Sequence, residues 1–289
     1  MLKFRNLHKA ERDDIGDLVT FRVMPTSTLD MGQLDPFLFL NHHGPQFYPP
    51  NNHGLPFSPH PHRGFETVTY IRTGELVHRD SGGYSSRILA GGVQWMTAGS
   101  GLIHEEVSSL EFKAKGGELE ILQLWVNLPS SLKMTEPAYK GMQKDEIRRI
   151  DLPDHAGSAD IISGTWFGQS ANYQSLTHIG LVVLNLKAHA SLKIPLPADE
   201  RVFFYVIQGV VTVNRHDATD HQVVEFESGE GDLELAIHAQ TDACVYLATG
   251  RPTHEPIAAH GPFVMNKPEE INQAIRDFQA GKFGTWPEG

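Results

Sequence analysis

His60-Pro61-His62 and His104-Glu105-Glu106 are two short polar motifs in the otherwise strand-like stretch from Ser58 to Ser108. Alternate side chains of an extended strand leave the same face, so His60 and His62 can point one way together, and so can His104 and Glu106. If the two strands lie side by side across a barrel, three imidazoles and one carboxylate converge. The stretch therefore predicts a metal site inside a β structure.

The ligand set indicates the kind of metal. Neutral imidazoles with a single carboxylate suit a borderline divalent ion, and iron, nickel, manganese, copper and zinc all accept such ligands. One or two open coordination positions favour non-haem iron and oxygen chemistry over a closed structural zinc site. A lone His-x-His pair is more often a buried pair bonded to backbone carbonyls, but the second motif strengthens the metal interpretation.

The rest of the first half reads as short strands bounded by turns. Runs of Val, Phe and Leu at Leu18 to Pro25 and at Pro36 to Asn41 are punctuated by Pro, Gly and Asp, as in a barrel or sandwich. The segment from His42 to Pro56 is rich in Pro, Asn and Gly and is predicted to be a loop. Adjacent side chains on an extended chain face opposite ways, so His42 and His43 are interpreted as loop or pocket-rim residues.

Glu66 has the same parity along the chain as His60 and His62 and should face inward with them. We interpret Glu66 as a residue that supports a ligand or lines the pocket. The alternative is that it pairs with Arg63 or Arg72.

Several neighbouring residues have structural interpretations. His78 is predicted to be structural or solvent-facing, and Gln123 and Trp125 line either the pocket or the packed core, with the core favoured for Trp125. Gly99-Ser100-Gly101 is predicted to be a tight turn, because the helix and lysine of a phosphate-binding loop do not follow it.

Two domains are predicted, at residues 1–135 and 136–289. The stretch from Pro129 to Pro153 is charged and resembles a linker. Strand-like runs resume after it and repeat the architecture of the first half. Scattered histidines there, among them His178, His189, His216, His221 and His238, do not form His-x-His or His-x-Glu motifs, so the second domain is predicted to be metal-free.

A terminal helix is predicted near the end of the chain. Asn266 can cap it, and Glu269 stands three residues on as a capping-box partner. Apolar residues then recur at helical spacing before Gly281 ends the pattern; they are Ile271, Ala274, Ile275 and Phe278.

Composition limits the classes of function. The chain has 289 residues, 40% of them hydrophobic, which is enough to form a sizeable core. A formal net charge of -11 disfavours nucleic-acid binding, which needs a concentrated basic surface. The single cysteine, Cys244, excludes an intrachain disulfide and fits a reducing compartment. A charged N-terminus and the lack of a long apolar run predict a soluble cytoplasmic protein without a membrane contact.

The residues around the two motifs closely resemble the signature of the pirin family, whose members are bicupins. The matching segments span almost the whole chain; they are His60 to Tyr70, Gln94 to Glu106, Leu122 to Pro129 and His260 to Asn266. The resemblance implies an all-β bicupin of two antiparallel β-barrel or jelly-roll domains with a C-terminal helix. It also implies the metal ligands His60, His62, His104 and Glu106, the four that strand geometry selects.

The resemblance further implies one Fe(II) ion per chain and dioxygenation of a flavonol such as quercetin with O2, as in quercetin 2,3-dioxygenases. Glu106 would be the catalytic base that takes the proton of a substrate hydroxyl. General cupins often place a ligand glutamate near the position of Glu66, whereas pirins resemble a variant that uses Glu106. The alternative function is an iron-binding regulator that modulates a transcription factor or a metabolic enzyme by protein contact. We expect a monomer.

Overall fold

The computed structural model describes residues 2–227 and 233–286. These residues form a β structure of antiparallel strand pairs with two short α-helices, which confirms the all-β prediction and the terminal helix. In the described part of the chain, neither helix combines the length and apolar composition that crossing a bilayer requires.

The strands and helix of the first half have the following bounds: β1 Phe4–Lys9, β2 Glu11–Arg12, β3 Thr20–Met24, β4 Phe37–Tyr48, β5 Phe57–His62, β6 Phe65–Thr73, β7 Glu75–Asp80, β8 Ser85–Leu89, β9 Val93–Thr97, β10 Leu102–Val107, α1 Leu110–Lys115, β11 Gly117–Asn127 and β12 Ala138–Met142. Those of the second half are: β13 Arg148–Asp151, β14 Gly157–Ser163, β15 Thr165–Trp166, β16 Gln169–Ser170, β17 Gly180–Leu186, β18 Ser191–Leu196, β19 Arg201–Gln208, β20 Val211–Val213, β21 His216–Ala218, β22 Gln222–Phe226, β23 Leu233–Ala239, β24 Ala243–Gly250, β25 Ala258–His260, β26 Phe263–Met265 and α2 Pro268–Gln279.

The chain forms two compact units that interleave in sequence. The unit that carries the two polar motifs, called here the histidine unit, comprises Arg12–Arg22, Leu38–Lys144 and Thr253–Gly289. The second unit comprises the rest: Met1–Glu11, Val23–Phe37 and Asp145–Pro252. This division differs from a single cut at residue 135, because β1 pairs with β22 in the second unit and α2 packs on β25 and β26 in the histidine unit.

The histidine unit is built from two facing sheets. One contains the run β12-β9-β6-β11-β4, and the other has the order β5-β10-β7-β8. Side chains of β10 reach side chains of β6, β9 and β11, so the two sheets enclose a common interior. The first polar motif lies on β5, at one edge of the smaller sheet, and the second lies on β10, in its centre.

The second unit repeats this plan, as the sequence predicts. Its larger sheet has the order β1-β22-β19-β24-β17-β14-β13, and its smaller sheet has the order β18-β23-β20-β21. An apolar cluster lies in its interior, with Phe204, Val206, Leu235 and Leu247 fully buried. Apolar side chains that alternate along paired strands are sufficient to account for this core.

The loop predicted from His42 to Pro56 is wrong in its first part, because β4 continues to Tyr48. The two histidines that make this stretch polar leave opposite faces of the strand, as the parity rule requires. His42 Nε2 lies 2.9 Å from Glu120 Oε1 on β11, and His43 Nδ1 lies 2.9 Å from Thr20 Oγ1. Partners inside the protein therefore allow a polar sequence to form a buried strand.

The linker prediction from Pro129 to Pro153 is also incomplete, since β12 and β13 lie inside it. At the terminal helix the boundary differs by one residue from the prediction. Lys267 is the N-cap and Pro268 occupies the first turn, where its missing N–H costs nothing. The capping carboxylate is Glu270, which accepts the N–H groups of Asn266 and Lys267.

Burial of His43 makes stability depend on pH. Burial, reinforced by the neighbouring charges of His42 and Arg22, lowers the pKa of His43 to about 3. A histidine in an unfolded chain titrates near about 6.5, so the unfolded chain takes up the proton first as the pH falls. The contribution of His43 to the free energy of unfolding is complete above about pH 6.5 and falls by about 1.4 kcal/mol per pH unit below it.

His43→Gln should therefore make the free energy of unfolding decline less steeply than in the wild type. Urea unfolding curves recorded from about pH 7 down to about pH 5 measure this slope. His53→Gln is the control, since it removes an exposed imidazole from the same unit and should keep the wild-type slope. Equal slopes for His43→Gln and the wild type would contradict the prediction.

Candidate metal centre

The pairing of β5 with β10 brings three imidazoles together. The two strands are antiparallel, with His104 opposite His60 and Leu102 opposite His62. Ligating atoms of His60, His62 and His104 all lie within 4.8 Å of one another. His62 and His104 are buried and His60 is half-buried. The convergence of three histidines predicted from strand parity is what the structure contains.

Backbone carbonyls orient two of these rings. His60 Nδ1 lies 2.8 Å from Ser58 O, and His62 Nδ1 lies 3.2 Å from Pro262 O. A ring that donates from Nδ1 keeps the lone pair of Nε2 for a metal, which is the usual arrangement around metal-ligating histidines.

His104 gives the most direct sign of a ligand. Both of its ring nitrogens are buried, and neither has a hydrogen-bond partner in the protein. A buried polar atom left without a partner costs about 1–3 kcal/mol. A divalent ion that accepts a lone pair of His104 removes part of this cost, so the donor set fits a bound metal.

Electrostatics keep these imidazoles in the form that binds metal. Burial lowers the pKa of His62 to about 3; His60 adds to this effect, and the Pro262 carbonyl opposes it. Burial and the three neighbouring imidazoles hold the pKa of His104 well below its usual value. Both rings are therefore neutral at physiological pH, and no proton has to leave before a metal binds.

Glu106 lies two residues beyond His104 on β10, and its carboxylate is buried between the sheets. Oε1 accepts hydrogen bonds from Gln94 Nε2 and, at 3.1 Å, from Thr69 Oγ1, and Oε2 accepts one at 2.5 Å from Gln123 Nε2. Among the described residues, the converging group of ligand atoms consists of the three histidines and does not include this carboxylate. Its role as a fourth ligand stays a prediction.

Glu66 and His78 are also buried, and each has a partner. Glu66 Oε1 accepts a hydrogen bond of 2.6 Å from Thr97 Oγ1 on β9. His78 Nε2 lies 2.9 Å from Asp80 Oδ2, and the His78 ring is 5.4 Å from that of His104. His78 is thus an internal structural residue beside the centre and is not exposed to solvent.

Aromatic rings border the centre on one side. Trp125 is half-buried, and its ring lies 5.4 Å from that of His62. It stacks on Phe39 at 4.5 Å and lies 4.3 Å from Phe65. Trp125 is therefore a wall of the site, where the sequence favours a place in the core.

The C-terminal hairpin of β25 and β26 supports the first histidine motif. The spacing of the motifs does not predict this support. Val264 donates its N–H to Arg63 O at 3.1 Å. A Cβ on Gly64, which has a φ of +89°, would lie only 2.0 Å from Val264 O, so this close approach requires glycine. The feature of the sequence that points to this support is the pirin-like segment from His260 to Asn266, which contains Pro262.

Two cupin-like β units, one of them with a histidine cluster that can hold a metal, define the class of this protein as a bicupin with a candidate metal centre. Comparison with known sequences identifies the family. The family model described as Pirin matches residues 18–126, and that described as Pirin C-terminal cupin domain matches residues 181–284. The chain belongs to the pirin family.

Individual relatives agree with this assignment. A Pseudomonas aeruginosa protein that is provisionally named a quercetin 2,3-dioxygenase is 42% identical, over 95% of each chain. Human pirin is 37% identical, over 89% of this chain and 87% of its own. A crystal structure named quercetin 2,3-dioxygenase, from Acinetobacter baumannii, has a TM-score of 0.91 at 35% identity and covers 99% of both chains.

His104→Gln should abolish metal binding to the purified chain, because it removes the candidate ligand whose ring nitrogens have no hydrogen-bond partner. Titration of the metal-free protein with Ni²⁺ or Zn²⁺, followed by calorimetry, measures the dissociation constant. The loss should exceed the roughly 10–100-fold that removal of a residue supporting a ligand costs. His78→Gln is the matched control, since His78 is equally buried but lies outside the converging group. Weaker binding in the control than in His104→Gln would be evidence against this centre.

Proposed function

We propose that this chain is a metal-dependent dioxygenase that opens a flavonol such as quercetin with O2 at an Fe(II) ion held by His60, His62, His104 and Glu106. The observation that carries the proposal is His104, whose buried ring nitrogens lack partners while two more imidazoles lie within 4.8 Å. The relatives named as quercetin 2,3-dioxygenases support the choice of substrate class.

Imidazole and carboxylate donors suit Fe(II), and they also accept nickel, manganese, copper or zinc. The resemblance to the pirin family favours iron among these metals. When bound, the ion would supply Lewis acidity toward the substrate oxygen and the redox chemistry of O2.

The protein itself supplies a base. The substrate hydroxyl gives its proton to a carboxylate oxygen of Glu106, which leaves the substrate as its oxyanion. Thr69, Gln94 and Gln123 hold that carboxylate with hydrogen bonds from β6, β9 and β11. A base held by three neighbours keeps its orientation when substrate binds and when product leaves. General base catalysis needs this preorganisation.

The aromatic wall supports a planar substrate. Trp125, Phe39 and Phe65 lie together beside His62 and present apolar surface next to the imidazoles. Flat aromatic rings pack well against such surfaces, and the contact excludes water from the reacting oxygen.

The decisive experiment loads the metal-free protein anaerobically with Fe(II), Ni(II), Mn(II), Cu(II) or Zn(II) in separate samples and then adds quercetin and O2. We expect loss of flavonol absorbance together with release of carbon monoxide, and most rapidly with Fe(II). The absence of turnover with all five metals would overturn the proposal and leave the regulatory alternative, in which the metal sets a surface for a protein partner.

Glu106→Gln should retain much of the metal, held by the three histidines, and lose at least about 100-fold in kcat, because an amide cannot accept the substrate proton. Metal content per chain and flavonol turnover are measured on the same sample. Glu105→Gln is the matched control: this carboxylate lies on the opposite face of β10 and pairs with Arg79 at 2.6 Å. Undiminished turnover in Glu106→Gln would remove Glu106 from the mechanism.

A further inference from the structure

Tyr139 lies at the edge of the histidine unit, on β12, in the stretch that the sequence presents as a linker and outside the residues matched by the Pirin family model. It is opposite Met96 in the pairing of β12 with β9. Its ring stacks on His78, with centroids 4.0 Å apart and an interplanar angle of 12°. The stacking fixes where the half-buried hydroxyl points.

That hydroxyl is a link in a hydrogen-bonded chain. Tyr139 donates to Gln94 Oε1 at 3.3 Å, and Gln94 Nε2 donates to Glu106 Oε1. Since the phenol has one proton and gives it to Gln94, the 2.5 Å contact between Ser86 Oγ and the phenol oxygen is donated by Ser86. Three side chains from β8, β12 and β9 thus lead to the proposed base.

The Gln94 amide fixes the direction of donation along this series of hydrogen bonds. If the amide were turned by 180°, its oxygen would face the carboxylate of Glu106, and two acceptors would repel each other. The Tyr139 hydroxyl favours the same orientation from the other end, because it offers a donor to Oε1. Burial raises the pKa of Tyr139, with the charges of Glu106 and Asp80 adding to the effect, so the hydroxyl keeps its proton.

We propose that Tyr139 is a positioning residue that acts through Gln94: its hydroxyl locks the Gln94 amide so that the amide donates to Glu106. Without the hydroxyl, only the contacts of Nε2 with Glu106 and Thr69 hold the amide, and it is less firmly fixed about its terminal torsion, which has a broad energy minimum. Glu106 then loses an oriented donor and samples more than one position. The catalytic consequence rests on the proposed function, whereas the positioning itself does not.

The first test needs neither metal nor activity. In the metal-free protein, the side-chain amide resonances of Gln94 are assigned by their disappearance in Gln94→Glu. Tyr139→Phe, which keeps the ring that stacks on His78, should move these resonances. Tyr84→Phe removes the hydroxyl of an exposed neighbour, 5.8 Å from the Tyr139 ring, and should leave them in place.

A second variant tests the same hydrogen bonds in case Tyr139→Phe does not fold. Ser86→Ala removes the donor to the phenol oxygen and should move the Gln94 resonances in the same direction as Tyr139→Phe, by a smaller amount. Far-ultraviolet circular dichroism confirms that both variants are folded. Gln94 resonances at wild-type positions in folded Tyr139→Phe would overturn the proposal.

The second test is a double-mutant cycle on flavonol turnover. Tyr139→Phe should lower kcat about five-fold, the effect of one lost hydrogen bond, with KM unchanged. If Tyr139 acts through Gln94, Tyr139→Phe should cause no further loss in a Gln94→Leu background. Additive losses would overturn the proposal, as would a change in KM alone. A wild type without turnover refutes the proposed function instead, and the amide resonances still decide the positioning.

Discussion

The register between β5 and β10 is the constraint on which the centre depends. Because side chains alternate along a strand, a slip of one residue would carry His104 and Glu106 to the opposite face and bring Glu105 inward. The observed register places His104 opposite His60, so the histidines of the two strands share one face. The pairing of β10 with β7 on its other side, where His104 is opposite Asp80, holds the same register from the second edge.

The interiors of the two units contain different kinds of side chain. The histidine unit buries neutral imidazoles and a row of polar side chains, whereas the second unit buries the apolar cluster of Phe204, Val206, Leu235 and Leu247. Buried polar groups do not improve stability over apolar packing of the same shape, and each requires a partner. The second unit also buries polar side chains, but its histidine His8 is hydrogen-bonded to Glu225 at 2.9 Å, whereas the converging imidazoles lie in the histidine unit.

Strand parity predicts the histidine cluster because a period of two residues is a local property of the chain. It also predicts that Glu105 and Glu106 have separate environments. Strand parity cannot predict contacts between distant parts of the chain. It does not say which strand occupies the edge of a sheet, or which backbone carbonyl lies against a histidine ring. The sequence does not reveal β12, because its exposed residues, such as Lys140, give a charged composition, and edge strands with charged side chains resemble linkers. The same composition keeps sequence patterns from indicating a role for Tyr139.

The terminal segment shows why the centre cannot be assigned to the first family match alone. Pro262 O orients His62, and the next residue in the motif, Arg63, forms an ion pair of 2.8 Å with Asp277 on α2. The buried ammonium of Lys133 donates to Gly64 O at 2.9 Å and to Val264 O at 3.0 Å, which joins the turn after the first motif to the hairpin. Removing the hairpin together with α2 would take Val264 O from the ammonium and Asp277 from the guanidinium, at a cost on the order of several kcal/mol. The geometry of the first histidine pair is therefore a property of the interleaved unit, and residues some 200 positions apart in the chain define it together.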